Sequence, residues 1–266
     1  MIIKDIIWMS IWTLGFFATG VFLFWEGIKL LKQKRLIENI PTSKIRSLAM
    51  GLVEVYGEVV PAYKEILKSP FSNKDCVYYS YTIEEYRSSG MNSPSGKSRS
   101  DWVTVDAGRK EQPFYLKDDT GGVLIDSKGA NVNVSRDFGF ETGFGRKTPD
   151  TVINFLESKG MTHKTLFGFG EKTMRYREHF IAPKDKLYIM GTAEDNPFVE
   201  DGTAKNNVED IMIQKGNNEK IYYISDKPEN TLLKEMKWKV LGYIIMGACL
   251  SIASLIISFK YMFNLL

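Results

Sequence analysis

The chain has 266 residues, 44% of them hydrophobic and 25% charged, with a formal net charge of +3. Nine of its 35 basic residues lie at the two ends (Lys4, Lys29, Lys32, Lys34, Arg35, Lys234, Lys237, Lys239 and Lys260) against Asp5, Glu26 and Glu235, which leaves 26 bases facing 29 acids in between. A mildly acidic middle is a poor electrostatic match for nucleic acid, so a nucleic-acid partner is excluded, and two cysteines rule out a disulfide framework.

The first element in chain order is an uncharged apolar segment at residues 6–25. About 20 helical residues cross the ~30 Å hydrocarbon layer, so this run predicts a transmembrane helix. It ends in Phe22, Phe24 and Trp25 with no small-residue cleavage site, which argues against a signal peptide. Residues 30–40 read as a basic helical extension. Thr42 or Ser43 would cap a short helix carrying Ile45, Leu48 and Ala49, stopped by Gly51. Alternating residues 52–60 suggest a strand pair broken at Gly57.

Residues 76–86, CVYYSYTIEEY, predict the strongest single strand, with 102–105 as its partner and a Ser/Gly/Pro-rich loop at 88–100. PFYL at 113–116, a turn at 118–122 and VLI at 123–125 predict a hairpin whose glycines take positive φ. Val132 and Val134 continue the β pattern. Residues 149–159 read as a helix ended by Gly160, and 174–181 and 186–191 as strands. Residues 212–216 and 220–225 should pair around Gly216-Asn217-Asn218. A helix then leads into a second uncharged apolar segment at 240–259. The expected fold is α+β: a β-rich single soluble domain (residues 32–238) inserted between two transmembrane helices (residues 1–31 and 239–266). The lipid bilayer is the first partner implied.

Chemistry is sparse. Cys76, Cys249, His163 and His179 are the whole Cys/His complement, and a structural zinc site wants four such ligands close together. The glycine runs 139–148 and 168–173 lack phosphate-loop spacing, and Asp118-Asp119 falls short of a calcium site. Glu84, Glu85, Arg175 and Arg177 read as solvated strand faces. The expectation is therefore no catalytic, cofactor-binding or metal-ligating residues and no cofactor. A thiol enzyme using Cys76 with His163 or His179 stands as an alternative.

Phrases spread along the chain resemble the GIDE family: PTSKIR at 41–46 with GLVEVYG at 51–57, LKSPF at 67–71 with CVYY at 76–79, PFYL at 113–116 with DTGGVLID at 119–126, and RYRE at 175–178 with residues 183–191. Eukaryotic members are membrane-anchored RING ubiquitin ligases whose domain between two spans is called BAM, for beside a membrane. The resemblance implies a link to the ubiquitin pathway. It also carries a departure, because seven residues follow Phe259 and none of the RING ligands transfers. RING-less chains of this kind look like prokaryotic relatives. The reading is thus a membrane-anchored binding or scaffold protein without its own catalytic centre, acting on an unidentified membrane-associated protein. The alternative is a pathway component whose RING is supplied in trans by a ubiquitin-like pathway protein. Loops 88–100 and 139–147 are the candidate contact surfaces. Lysines flanking the spans favour a cytoplasmic domain, in a prokaryotic plasma membrane if the RING-less resemblance holds, whereas the ligase members of the family imply the opposite side, where the sequon at Asn133 would matter.

Overall fold

The computed structural model describes residues 2–89, 99–143, 146–165, 171–199, 210–217 and 221–263. In chain order the elements are α1 (Ile2–Asn39), a 3-10 turn (Ile45–Ser47), β1 (Gly51–Pro61), β2 (Leu67–Lys68), β3 (Asp75–Cys76), β4 (Tyr78–Ser89), β5 (Arg99–Glu111), β6 (Phe114–Lys117) and β7 (Gly122–Ile125). Then come β8 (Asn131–Asn133), β9 (Phe138–Glu141), α2 (Asp150–Ser158), β10 (Met174–Ile181), β11 (Lys186–Asp195), β12 (Ile211–Gln214), β13 (Tyr223–Ser225) and α3 (Glu229–Phe263). The fold is α+β and β-rich, with an apolar helix at either end. It divides into two compact units, Thr42–Lys227 and the combination of Met1–Pro41 with Pro228–Leu266.

In the β-rich unit, β1, β6, β7, β12 and β11 follow one another and β11 pairs back onto β1. The ring closes as a small five-stranded barrel with the connectivity of the OB type, and β12 runs parallel to β7 while the other neighbours are antiparallel. Closure removes the exposed edges that open sheets carry. Val55, Val59, Phe114, Leu116, Val123, Ile125, Leu187, Ile189 and Ile213 fill the buried core. Each such side chain contributes about 1.5–3 kcal/mol by leaving water.

Two segments that leave the barrel build a second, antiparallel sheet in the order β5–β4–β10–β9. One face of it buries Tyr81, Ile83, Met174 and Tyr176 with Phe71 and with Val152 and Leu156 of α2. The Phe71 ring meets Tyr81, Phe155 and Tyr176 edge-on at centroid distances of 5.4–5.7 Å. α2 starts behind Pro149, and Gly160 follows it at φ +66, a conformation that favours glycine.

Several local expectations are corrected. Gly57 lies inside one continuous β1 rather than between two strands. There the strand changes neighbours: Gly51–Glu58 faces β11 and Glu58–Pro61 faces β6. The capped helix after Pro41 is only a 3-10 turn, because the Thr42 hydroxyl bonds Glu54 and the Ser43 amide bonds the Glu54 carbonyl. Cys76 belongs to the short pair β2–β3, not to β4. Gly121 and Gly122 do not take positive φ. Asp118 shapes that turn instead, accepting from Thr120 N at 2.7 Å and Gly121 N at 2.9 Å. Strands β12 and β13 do not pair with each other; both lie along one edge of β11, opposite 192–195 and 188–190. Residues 139–141 are strand β9, not loop. The tip of loop 88–100, residues 90–98, lies outside the described residues.

The other unit is a pair of helices, each long and apolar enough to cross a membrane (11–39 and 233–260), which fits a two-pass membrane protein. Trp12, Leu14, Phe22, Ile245, Leu255 and Ile256 are exposed, as lipid-facing side chains would be. Helices α1 and α3 run antiparallel: Gly20 adjoins Ser251 and Gly247, and Gly27 adjoins Ile244. A Cβ on Gly20 would lie 2.4 Å from Ser251 Oγ, so the helices touch through small residues.

Candidate functional site

Strand alternation sorts the second sheet into two faces. Met174, Tyr176 and Glu178 of β10 point into the aromatic core, while Arg175, Arg177 and His179 lie between them in half-exposed positions. On this outer face Arg175 stands opposite Glu84 of β4 and Glu141 of β9. Arg175 Nε donates to Glu141 Oε2 at 3.0 Å, and Arg177 Nη1 lies 3.3 Å from Glu84 Oε2. The Arg175 guanidinium sits over the Trp102 ring at 3.9 Å, and Trp102 in turn packs on Tyr86. Lys172 and Arg87 both approach Glu85, and these cations hold its carboxyl below the ordinary range against the opposing effect of burial.

These groups are therefore not simply solvated strand faces. Glu84, 17% exposed, pairs across strands with Arg175 and Arg177, and Glu85, 16% exposed, pairs with Arg87 of its own strand and with Lys172. Beside them, Arg136 and Arg146 join Arg175 and Arg177 around a cavity of about 220 Å3 lined also by Gly139, Phe140, Glu141 and Tyr176. Four guanidinium groups meet two carboxylates here, an excess of positive charge. Sequence reasoning missed this grouping. Only the strand parity of Arg175 and Arg177 hinted at it, since Arg136 and Arg146 arrive from segments distant in the chain.

The thiol alternative finds little support in the geometry. Cys76 is fully buried, its Sγ 3.6 Å from the Leu67 carbonyl oxygen. Burial, reinforced by the nearby Glu178, pushes its pKa up to about 12. His179 Nδ1 lies 3.2 Å from the carbonyl oxygens of Val134 and Ser135, and His163 bonds Lys172 through its backbone. No hydrogen bond joins Cys76 to either histidine among the described residues. Nor do the described residues hold a group of three or more His, Cys, Asp or Glu arranged for a metal. Asp118 is spent on the turn and on Ile45 N, and Asp119 pairs with Lys44. Asn133 donates from Nδ2 to the Tyr223 hydroxyl at 2.6 Å, so glycosylation there would break a contact.

Sequence reasoning also missed two buried acids. Glu54 on β1 accepts from Thr42 Oγ1 at 2.6 Å. Glu178 accepts from Phe71 N at 2.5 Å and from the Ser72 hydroxyl. The parity of Met174 and Tyr176 places Glu178 on the core side, a signal available in the sequence.

In sequence, a closed β-barrel with an inserted sheet lies between two helices long and apolar enough to cross a membrane. The GIDE family model, described as E3 ubiquitin ligase, matches residues 82–258, from β4 into α3. The chain belongs to the GIDE family. No similar curated protein and no similar solved structure was found.

Proposed function

We propose that this chain is a membrane-anchored binding or scaffold module of the ubiquitin-ligase-related GIDE family. Two apolar helices adjoin the β-rich unit in sequence, one on either side, and a tethered domain meets partners on the same surface at raised effective concentration. The observation that carries this reading is the pairing of a GIDE match with a Cys/His complement of two and two in these 266 residues. The zinc-binding chemistry of a RING has too few ligands here. The outer face of the second sheet, with Trp102, Arg175 and Arg177, joins loops 88–100 and 139–147 as a contact surface. The flanking lysines support a cytoplasmic domain.

Photo-crosslinking from positions 86 and 102 in intact membranes tests the module. A discrete adduct with a membrane-associated protein is expected. Absence of any adduct from these positions and from β5 would count against the reading. Protease treatment of sealed right-side-out membranes should leave the domain intact; cleavage from outside would reverse the orientation.

A second reading follows from the family description itself: the chain serves a ligase whose RING comes from another protein. Ubiquitin discharge by a conjugating enzyme would then need both proteins. Equal discharge with the RING partner alone would dismiss it.

A further inference from the structure

We propose that the arginine-lined groove on the outer face of the second sheet is a binding site for a phosphate monoester. The inference stands whether or not the chain acts as a scaffold. Arg136, Arg146, Arg175 and Arg177 surround a cavity of about 220 Å3. Glu84 and Glu141 answer two of the four charges through Arg175 and Arg177. Among the described residues, Arg136 and Arg146 make no ion pair, so two positive charges remain uncompensated. Arg177 Nε, shut off from solvent, has no hydrogen-bond partner among the described residues.

Guanidinium groups present planar forks that match phosphate oxygens two at a time. A monoester carries about −1.5 to −2 near pH 7, which balances the excess. The space is several times the ~30 Å3 share of one water, enough for a phosphate and part of the group bearing it. Gly139 keeps the groove open, because a Cβ there would come within 3.2 Å of Arg136 Nε. Arg175 is held in place by the Trp102 ring and Glu141, so the groove is ordered before a ligand arrives. The same chemistry suits a monoester lipid headgroup or a free phosphate.

The test uses the full chain in phosphatidylcholine nanodiscs, titrated calorimetrically with inorganic phosphate. Saturable binding is expected, weakened about tenfold or more in R136Q/R146Q. Both residues are exposed, so the variant should melt at the wild-type temperature in the absence of phosphate. R146Q alone should show a smaller loss. Nanodiscs containing phosphatidic acid, a lipid monoester, are compared with nanodiscs containing an equal fraction of phosphatidylglycerol. Weaker phosphate binding only in the former assigns the site to a lipid headgroup, and equal binding in both assigns it to a soluble phosphate. No saturable binding, or equal binding by wild type and R136Q/R146Q, would overturn the proposal.

Discussion

The Glu178 carboxylate, carried by β10, accepts a hydrogen bond at 2.5 Å from the backbone N–H of Phe71, whose ring centres the aromatic cluster of the second sheet. A buried acid thus fixes a loop whose side chain plugs the core. Glu178→Ala would leave this N–H without its acceptor, at a cost of about 1–3 kcal/mol. Glu178→Gln keeps an acceptor oxygen and should cost less. Thermal melts of both variants check this, with about 2–4 °C expected per kcal/mol for a domain of this size. Equal melting of wild type and Glu178→Ala would remove the acid from its structural role.

Gly57 marks where β1 passes from one barrel neighbour to the next. A Cβ there would stand 2.4 Å from the Lys117 carbonyl oxygen, a backbone atom that cannot swing away. Gly57→Ala should therefore destabilise the barrel by about 1–3 kcal/mol, as overpacking does. Denaturant titration measures the change, and a neutral result would mean that β1 and β6 separate freely.

Asp118 gives the domain an acid-sensitive turn. Burial works against its ionisation, but hydrogen bonds from Ile45, Thr120 and Gly121 outweigh it and hold the carboxyl below the usual range. A depressed folded pKa stabilises above the unfolded value, near pH 4, and that contribution is lost as pH falls through the folded value. Asp118→Asn should lower stability at pH 7 and lose less between pH 5 and 2 than wild type does. Parallel acid limbs in the two melting profiles would contradict this.

The Cys76 thiol should be inert in the folded protein. With its pKa pushed up to about 12 from an ordinary 9.0, its thiolate population at neutral pH falls about a thousandfold. Alkylation followed by mass spectrometry should label Cys76 rapidly only after unfolding. Fast labelling of the native chain would reopen the thiol-enzyme alternative.

In the helix pair, Gly247 is the glycine that comes nearest to backbone atoms of the opposite helix. A Cβ there would lie 2.5 Å from Phe24 N and 2.7 Å from the Gly20 carbonyl oxygen. Gly247→Leu should force α1 and α3 apart, and a disulfide engineered across the pair should form more slowly in that background. Unchanged crosslinking would show that the helices do not depend on this contact.

Much of the fold was legible because local patterns fixed it. The bounds of β10, the hairpin of β6 and β7 and the stop of α2 at Gly160 follow from alternation, turn residues and a positive φ. Partners were harder. Nothing near Ile211 or Tyr223 tells either strand that both will line β11, because register is set by residues far away in sequence. The barrel closure between β1 and β11 was hidden for the same reason. At the candidate site, Arg175 and Arg177 were visible as a pair, but their meeting with Arg136 and Arg146 needed the tertiary fold. Glu178 lay on the core parity of its own strand, but its partners Phe71 and Ser72 come from a segment more than a hundred residues away.

The proposed anchoring depends on α1 and α3, each long and apolar enough to cross a bilayer. Extraction of membranes at alkaline pH, followed by ultracentrifugation and then by mild detergent, tests this most directly. The chain should stay in the pellet at high pH and be released only by detergent. Recovery in the alkaline supernatant would contradict anchoring by α1 and α3.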